Sequence, residues 1–306
     1  MKKLILISSA VAMLFSACQK NSLINTDTPS AITQRSCGSM EVLAEQMKAD
    51  PTLESSMSAY EAVVQNNIKA IENGTSNYRL VNGVIEIPVV VNVLYRTAAE
   101  NISQAQIQSQ IDVLNEDFNA TNADFTKVPS TFSAVKANVG IRFVLDQVIR
   151  KSTTKTSWKT DDAMKKSTKG GINPTTPTTK LNLWVCTLSG GILGYAQFPG
   201  GASATDGVVI LNTGFGRTGT AAAPYNKGRT ATHEVGHWLN LRHIWGDATC
   251  GSDLVNDTPL HNTANYGCPA AGHKSTCSGT PIEMTMNYMD YTDDACMYMF
   301  SAGQKA

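Results

Sequence analysis

Residues 233–243 read HEVGHWLNLRH, which puts three of the chain's five histidines into eleven positions around one glutamate. The stretch ATHEVGHWLNL has helical spacing, so His233 and His237 present their rings on one face, a single turn apart. Two imidazoles so placed can reach one ion, and zinc is the usual occupant of such a nitrogen donor set. Glu234 projects beside that ion instead of ligating it, where its carboxylate can take a proton from a water that the ion activates. His243 cannot join them on a continuous helix, because it would lie about 15 Å further along the axis than His233. The helix must therefore stop and fold back. Asn240 is the hinge, since asparagine tolerates the left-handed conformation best after glycine. His243 then arrives as third ligand and leaves a fourth position open.

The chain around this stretch has 306 residues, 42% of them apolar, which suffices for one large or two small domains with a real core. Its net charge is zero, so it carries no electrostatic footprint for nucleic acid or for an acidic membrane surface. Lys2 and Lys3 precede an apolar run, residues 4–15, that is too short to span a bilayer. The run ends in Ser16-Ala17-Cys18, similar to a bacterial lipobox. Residues 1–17 are accordingly expected to be an export signal of lipoprotein type, with lipidation at Cys18 as the one membrane contact. Export permits disulfides. Cys250, Cys268, Cys277 and Cys296 crowd the C-terminal part, and their spacing leaves all three pairings open, while Cys186 lies in an apolar run and reads as a buried thiol.

Residues 18–80 read as a polar tether followed by a pro-segment, with two charged helices between Met40 and Ile71 broken at Asp50-Pro51. From residue 81 the character changes. VIEIPVVVNVLY (84–95) predicts a strand buried on both faces, and 139–149, 181–186 and 207–212 predict three more. Ser103 and Gln106 form a capping-box pattern ahead of a helix whose apolar face is Ile107, Ile111, Leu114 and Phe118. Strands alternating with helices imply an α+β domain over 81–306, a twisted mixed sheet backed by helices. Regular signals fade after His243, so 81–243 and 244–306 are expected as two subdomains.

HEVGHWLNLRH resembles the extended zinc signature of the metzincin metallopeptidases, HExxHxxGxxH, with Asn240 in the place of the glycine. The flanking residues are similar to the pappalysin family, in its bacterial cytophagalysin-like branch, and so is NYMDYTDDACMYMF (287–300). The likeness runs from about Tyr78 to the C-terminus and includes RSCG (35–38) upstream. It implies a metzincin-type catalytic domain with an irregular, disulfide-bonded C-terminal subdomain, and zinc on His233, His237 and His243. It implies that Met289 forms the turn beneath the zinc, although its residue type alone also suits plain core packing. Tyr291 would help stabilise the oxyanion of the tetrahedral intermediate. Cys37 would place a thiolate on the open zinc position in a zymogen. The resemblance favours the pairs Cys250 with Cys277 and Cys268 with Cys296.

DLVNDTP (253–259) offers the hard oxygen donors that calcium takes, on Asp253, Asp257 and Thr258, and resembles a calcium loop of the family; an Asx-type turn fits the same residues. Asp293 and Asp294 follow the expected Met-turn, where the family shapes the pocket for the residue after the scissile bond. A carboxylate there, Asp294 for preference, would select arginine or lysine. GGILGYAQFPGG (190–201) would supply the edge strand on which an extended peptide pairs. The expected protein is an exported zinc endopeptidase made as a zymogen, a lipoprotein of the cell envelope or secreted once its pro-segment is removed, acting on proteins or peptides. The alternative is an inactive, metallopeptidase-like binding lipoprotein. Asn240 in the hinge and a last helix stopping at Gln304-Lys305-Ala306 favour that alternative, and Glu234, useless to a purely structural zinc site, opposes it.

Overall fold

The β-branched run becomes the centre of the sheet. In the computed structural model, which describes residue 32, residues 34–73 and residues 84–306, β1 spans Ile85–Tyr95 and is buried from Val89 to Leu94. The expected signal segment 1–17, Cys18 and the linker ahead of β1 lie outside the described residues. β1 pairs in parallel with β3 (Ile141–Ser152) on one side and β4 (Leu181–Cys186) on the other. β4 pairs in parallel with β6 (Val208–Leu211), and the short edge strand β5 (Gly194–Ala196) runs antiparallel to β6, giving the order β3-β1-β4-β6-β5. Pro88 is tolerated within β1 because pairing with β4 begins only at Val89, next to a shift in register against β3.

Alternation sorts the side chains into two cores. Val89, Val91 and Val93 of β1, Leu181, Leu183 and Val185 of β4, and Val208 and Ile210 of β6 pack on one face with two helices. These are α3 (Gln104–Phe118), through Ile107, Ile111, Leu114 and Phe118, and α4 (Arg229–Trp238), through Ala231 and Val235. The opposite parity (Leu94, Trp184, Cys186, Val209, Leu211 and Tyr195) meets Trp158, Met164 and Ile172 of an irregular segment. Cys186 is a buried free thiol, as its run predicts.

Half of the predicted capping box forms. Ser103 accepts from Gln106 N–H at 3.1 Å, but the Gln106 amide turns away to donate to the carbonyls of Asn212 and Phe215. A partner distant in sequence has claimed a side chain that local pattern assigned to its own helix.

Beyond α4 the chain is mostly irregular. A two-residue strand, β7 (Phe300–Ser301), pairs antiparallel with β2 (Lys136–Ala137), followed by the single turn α5 (Ala302–Lys305). Two disulfides hold this part, Cys250–Cys277 and Cys268–Cys296, the pairs that the resemblance implies. The stretch expected to be the pro-segment forms α1 (Ser39–Ala49) and α2 (Leu53–Glu72), separated at Asp50-Pro51 as expected. It packs on the rest through a small cluster of Leu43, Leu53 and Phe198.

Candidate active site

α4 carries His233, Glu234 and His237 in its last turns, all buried. Its end is a complete Schellman reversal. Asn240 has φ +79°, Asn240 N–H donates to His237 O at 2.9 Å, and Leu241 N–H reaches back to Gly236 O at 2.9 Å. The hinge therefore sits where the sequence puts it, although the regular helix stops slightly earlier, at Trp238. Glycine at 236 answers a second need. A Cβ there would lie 2.4 Å from the Met289 sulfur, so the helix could not rest on that side chain with any other residue. Met289 itself is fully buried, its N–H held by Asn287 Oδ1 and its carbonyl by Ile244 N–H. The turn beneath the histidines is thus tied to the segment that delivers His243.

The three imidazoles meet at their Nε2 atoms, 3.2 Å apart for His233 and His237 and 3.1 Å for His237 and His243. These contacts are not hydrogen bonds between the rings. Each Nδ1 is already committed as a donor: His233 to Tyr288 O at 2.7 Å, His237 to Leu241 O at 2.7 Å, His243 to Asp247 Oδ1 at 2.6 Å. Burial and mutual repulsion push His233 and His237 well below their ordinary pKa, so both rings are neutral. The three Nε2 atoms then converge on one point, the arrangement of a cation site. Nitrogen ligands of a tetrahedral zinc stand about 3.3 Å apart, close to the spacings found. The outward-facing Nδ1 partners are the orienting second layer that zinc histidines carry. The residues present fit zinc.

Cys37 joins the group: its sulfur and the three histidine nitrogens lie within 4.8 Å of one another, the one such donor group among the described residues. Burial and the adjacent Glu234 carboxylate hold its thiol well above the usual range. A bound dication reverses that order, because a coordinating thiol is deprotonated. Glu234 Oε2 accepts from the Cys37 thiol at 3.2 Å and from the Ser39 hydroxyl at 3.0 Å, and burial pushes its carboxyl up to about 7. The Tyr291 hydroxyl accepts from Cys37 N–H at 3.2 Å, and its ring packs against His243 and Trp245.

The pro-segment lies along the edge strand. Leu193 N–H donates to Ser36 O and Gly38 N–H to Gly194 O, both at 2.9 Å, in a parallel bridge of Cys37 with Gly194. A side chain at Gly194 would collide with Val209 O and Glu234, which accounts for the glycine. Two residues before Cys37, Arg35 enters a closed pocket. Its guanidinium binds Asp294 Oδ1 at 2.6 Å, Thr292 O at 3.1 Å and Thr230 Oγ1 at 3.3 Å, and lies 5.0 Å above the Tyr225 ring. The other Asp294 oxygen accepts Lys227 N–H at 2.7 Å and Arg229 N–H at 3.2 Å. Asp294 is fully buried, whereas Asp293 is only partly so and its N–H bonds Gly267 O, so of the two predicted carboxylates Asp294 alone forms the pocket.

Sequence reasoning missed Arg35, Ser39, Thr230 and Tyr225. Only Arg35 left a signal, a cation two residues from the cysteine. The calcium set does not gather as expected. Thr258 Oγ1 bonds Asp253 at 2.8 Å, but Asp257 turns away to accept from Ser301 Oγ at 2.6 Å and Gly303 N–H at 2.8 Å, fastening the C-terminus.

Comparison with known proteins agrees with this geometry. Residues 179–306 match the peptidase family described as Pregnancy-associated plasma protein-A. An extracellular metalloprotease of Pyricularia oryzae is 35% identical over 287 residues, 90% of this chain and 87% of that protein. One from Verticillium alfalfae is 34% identical over 236 residues, covering 72% of this chain and 75% of its own. Mature mirolysin of Tannerella forsythia, solved with a cleaved peptide, superimposes with a TM-score of 0.70 at 48% identity, over 72% of this chain and 89% of its own. A promirolysin variant from the same organism superimposes with a TM-score of 0.79 at 42% identity, over 89% of this chain and 91% of its own. The shared architecture thus reaches into the segment that carries Cys37, and the chain belongs to the pappalysin-type family of zinc metalloproteases.

Proposed function

We propose that the protein is an endopeptidase held latent by its own pro-segment, and that it cuts peptide bonds preceding arginine, and less readily lysine. The observation that carries this reading is the seat of Arg35. The guanidinium has a carboxylate, a carbonyl, a hydroxyl and an aromatic face around it at once. A planar fork uses all four, whereas an ammonium uses fewer.

Zinc, when bound to His233, His237 and His243, supplies Lewis acidity and lowers the pKa of water. The chain's own groups do the rest. Glu234 is the general base and then returns the proton to the leaving amine. The Tyr291 hydroxyl, which now receives the Cys37 N–H, is placed to donate to the oxyanion once the pro-segment has gone. Main-chain groups of Leu193 and Gly194, occupied by Ser36 and Gly38, would align the substrate. The Ser39 hydroxyl donates to the Glu234 carboxylate, so latency engages the base while a Cys37 thiolate would take the open metal position.

The test is digestion of a mixed peptide library by the mature, metal-loaded protein, with Glu234→Ala alongside and cut sites read by mass spectrometry. Cuts before Arg and Lys that vanish in the variant are expected. Cuts without that preference would remove the role of Asp294. No cuts at all would favour a binding protein that keeps the fold.

Export as a lipoprotein acylated at Cys18 is proposed on the lipobox-like pattern, with an activating cut between α2 and β1 that releases anchor and inhibitor together. A mature, active form still carrying lipid would refute that coupling. Calcium at Asp253 and Thr258 is proposed on the resemblance alone, since the Thr258 hydroxyl here donates to Asp253; an unchanged Tm on calcium-selective chelation would dismiss it.

A further inference from the structure

We infer that Phe198 forms an apolar subsite for a substrate side chain on the N-terminal side of the scissile bond. The inference rests on the reading above, in which the Asp294 pocket takes the residue that follows the bond.

Gly194, Ala196 and Phe198 have one parity on β5 and its continuation, and that parity faces α4. A Cβ at Gly194 would meet Glu234, and the Phe198 ring lies 5.2 Å from the ring of His237. Phe198 is therefore continuous with the catalytic centre. The course of the pro-segment gives its side. Arg35 sits in the Asp294 pocket, Cys37 at the histidines, and the chain then passes on, parallel to β5, into α1 and α2. Asp294 and Phe198 thus flank the metal ligands in opposite directions along the edge strand.

What covers Phe198 now comes from the pro-segment. The ring is 4% exposed, closed over by Leu43 and Leu53 with Met40, Met47 and Met57 packed around them. These five side chains leave when the pro-segment does. The mature enzyme then has a bare phenylalanine next to a zinc ligand, with Leu254, already 44% exposed, beside the same cavity. An extended peptide paired on β5 brings alternate side chains to this face, and an apolar one recovers the burial that Leu43 and Leu53 give up. Since the ring touches a ligand of the metal, the side chain belongs to the first few residues before the cut.

The experiment compares mature, metal-loaded wild type, Phe198→Ala and Phe198→Leu on a library randomised before and after the cut. It is followed by kcat/KM for matched peptides with Leu or Ser at the preferred upstream position. Wild type should favour Leu about tenfold or more. Phe198→Leu should keep the position with a smaller ratio, and Phe198→Ala should bring the ratio close to one while the downstream Arg preference persists. A wild type without upstream preference, or a ratio that survives in Phe198→Ala, would overturn the inference and leave the ring as a seat for the pro-segment alone. The two readings fail separately. Loss of the downstream preference counts against Asp294, and the upstream ratio, read across all downstream residues, still decides Phe198.

Discussion

The site lies between two regions built on different principles. From β1 to α4 the backbone satisfies itself in a ladder and two helices, and side chains are left to pack by parity into two cores. From residue 244 onward there is no ladder of that size, and short turn bonds alternate with backbone N–H groups that bond to buried side chains. Met284 N–H goes to His261 Nε2 at 3.0 Å, Asn262 N–H to Glu283 Oε1 at 2.8 Å, and both Asn265 N–H and Tyr291 N–H to Asp290 Oδ1 at 2.8 Å. Buried amides must find partners, and without a ladder the chain brings polar side chains indoors to serve them. His261, Glu283 and Asp290 are each at most 2% exposed. One region places Glu234, His233 and His237 on a helix, in the proposed roles of base and metal ligands; the other places Met289, Tyr291 and the Asp294 pocket on loops held by disulfides.

That contrast predicts different responses to damage. Replacing Cys268 and Cys296 by serine opens a loop of 28 residues, which costs about 3–4 kcal/mol of constraint on the unfolded chain. The loss should fall on the C-terminal half first: near-ultraviolet dichroism and Arg-directed cleavage should decline under conditions where far-ultraviolet dichroism of the sheet persists. A single transition in all three probes would mean that the two regions unfold as one. Leu183→Ala, in the middle of β4, should cost about 3 kcal/mol and lower every probe together, because it leaves a cavity under α3 and α4. If its cleavage activity is lost well before its far-ultraviolet signal, the sheet is less cooperative than its packing implies.

The same contrast explains what could be read without coordinates. The strands at β1, β4 and β6, and the α4 reversal at Asn240, are written in short-range terms: runs of β-branched residues, a ligand spacing of four, one residue suited to positive φ. The irregular half has no period to read, and its disulfide pairing came from resemblance rather than from spacing. What failed were contacts between distant residues. Local pattern places Gln106 in its own helix cap, yet it serves a loop a hundred residues away. DLVNDTP offers Asp257 to an ion, yet it fastens the C-terminus. The Arg35 pocket joins residues 259 apart with no local pattern on either side except an acidic pair and RSCG.

One buried network spans the two regions and carries a pH signature. Asp117 of α3 accepts from Thr232 Oγ1 at 2.7 Å and pairs with Arg229 Nε at 3.1 Å on α4, beside Tyr288 of the irregular half. Burial raises its carboxyl to about 6 despite Arg229. With the folded value above the unfolded one, its contribution to stability is full below pH about 4 and is lost as pH rises to about 6. Denaturant titrations at several pH values should show wild type losing on the order of 2 kcal/mol over that window relative to Asp117→Asn. Parallel pH curves for the two proteins would mean that the Arg229 pairing outweighs desolvation and keeps the carboxylate charged in both states.

The smallest expected effect falls on the junction itself, and it separates zymogen from mature enzyme. Asn240 differs from the glycine of the resembling signature in having a side chain, and that side chain donates to Glu61 Oε2 of α2 at 3.0 Å. In a mature form cut between α2 and β1, as proposed, α2 would be gone, and Asn240→Gly should be neutral or stabilising by about 0.5 kcal/mol, since glycine adopts φ near +79° without cost. In the zymogen the same substitution also removes a hydrogen bond to a charged group, part-buried here and worth about 1 kcal/mol. Thermal melts of both forms with and without the substitution isolate this difference. A shift confined to the zymogen would make Asn240 a reader of the pro-segment as well as a hinge. Equal shifts would leave it a hinge only, with Glu61 a bystander, and α2 would then be held to the catalytic domain by its apolar contacts alone.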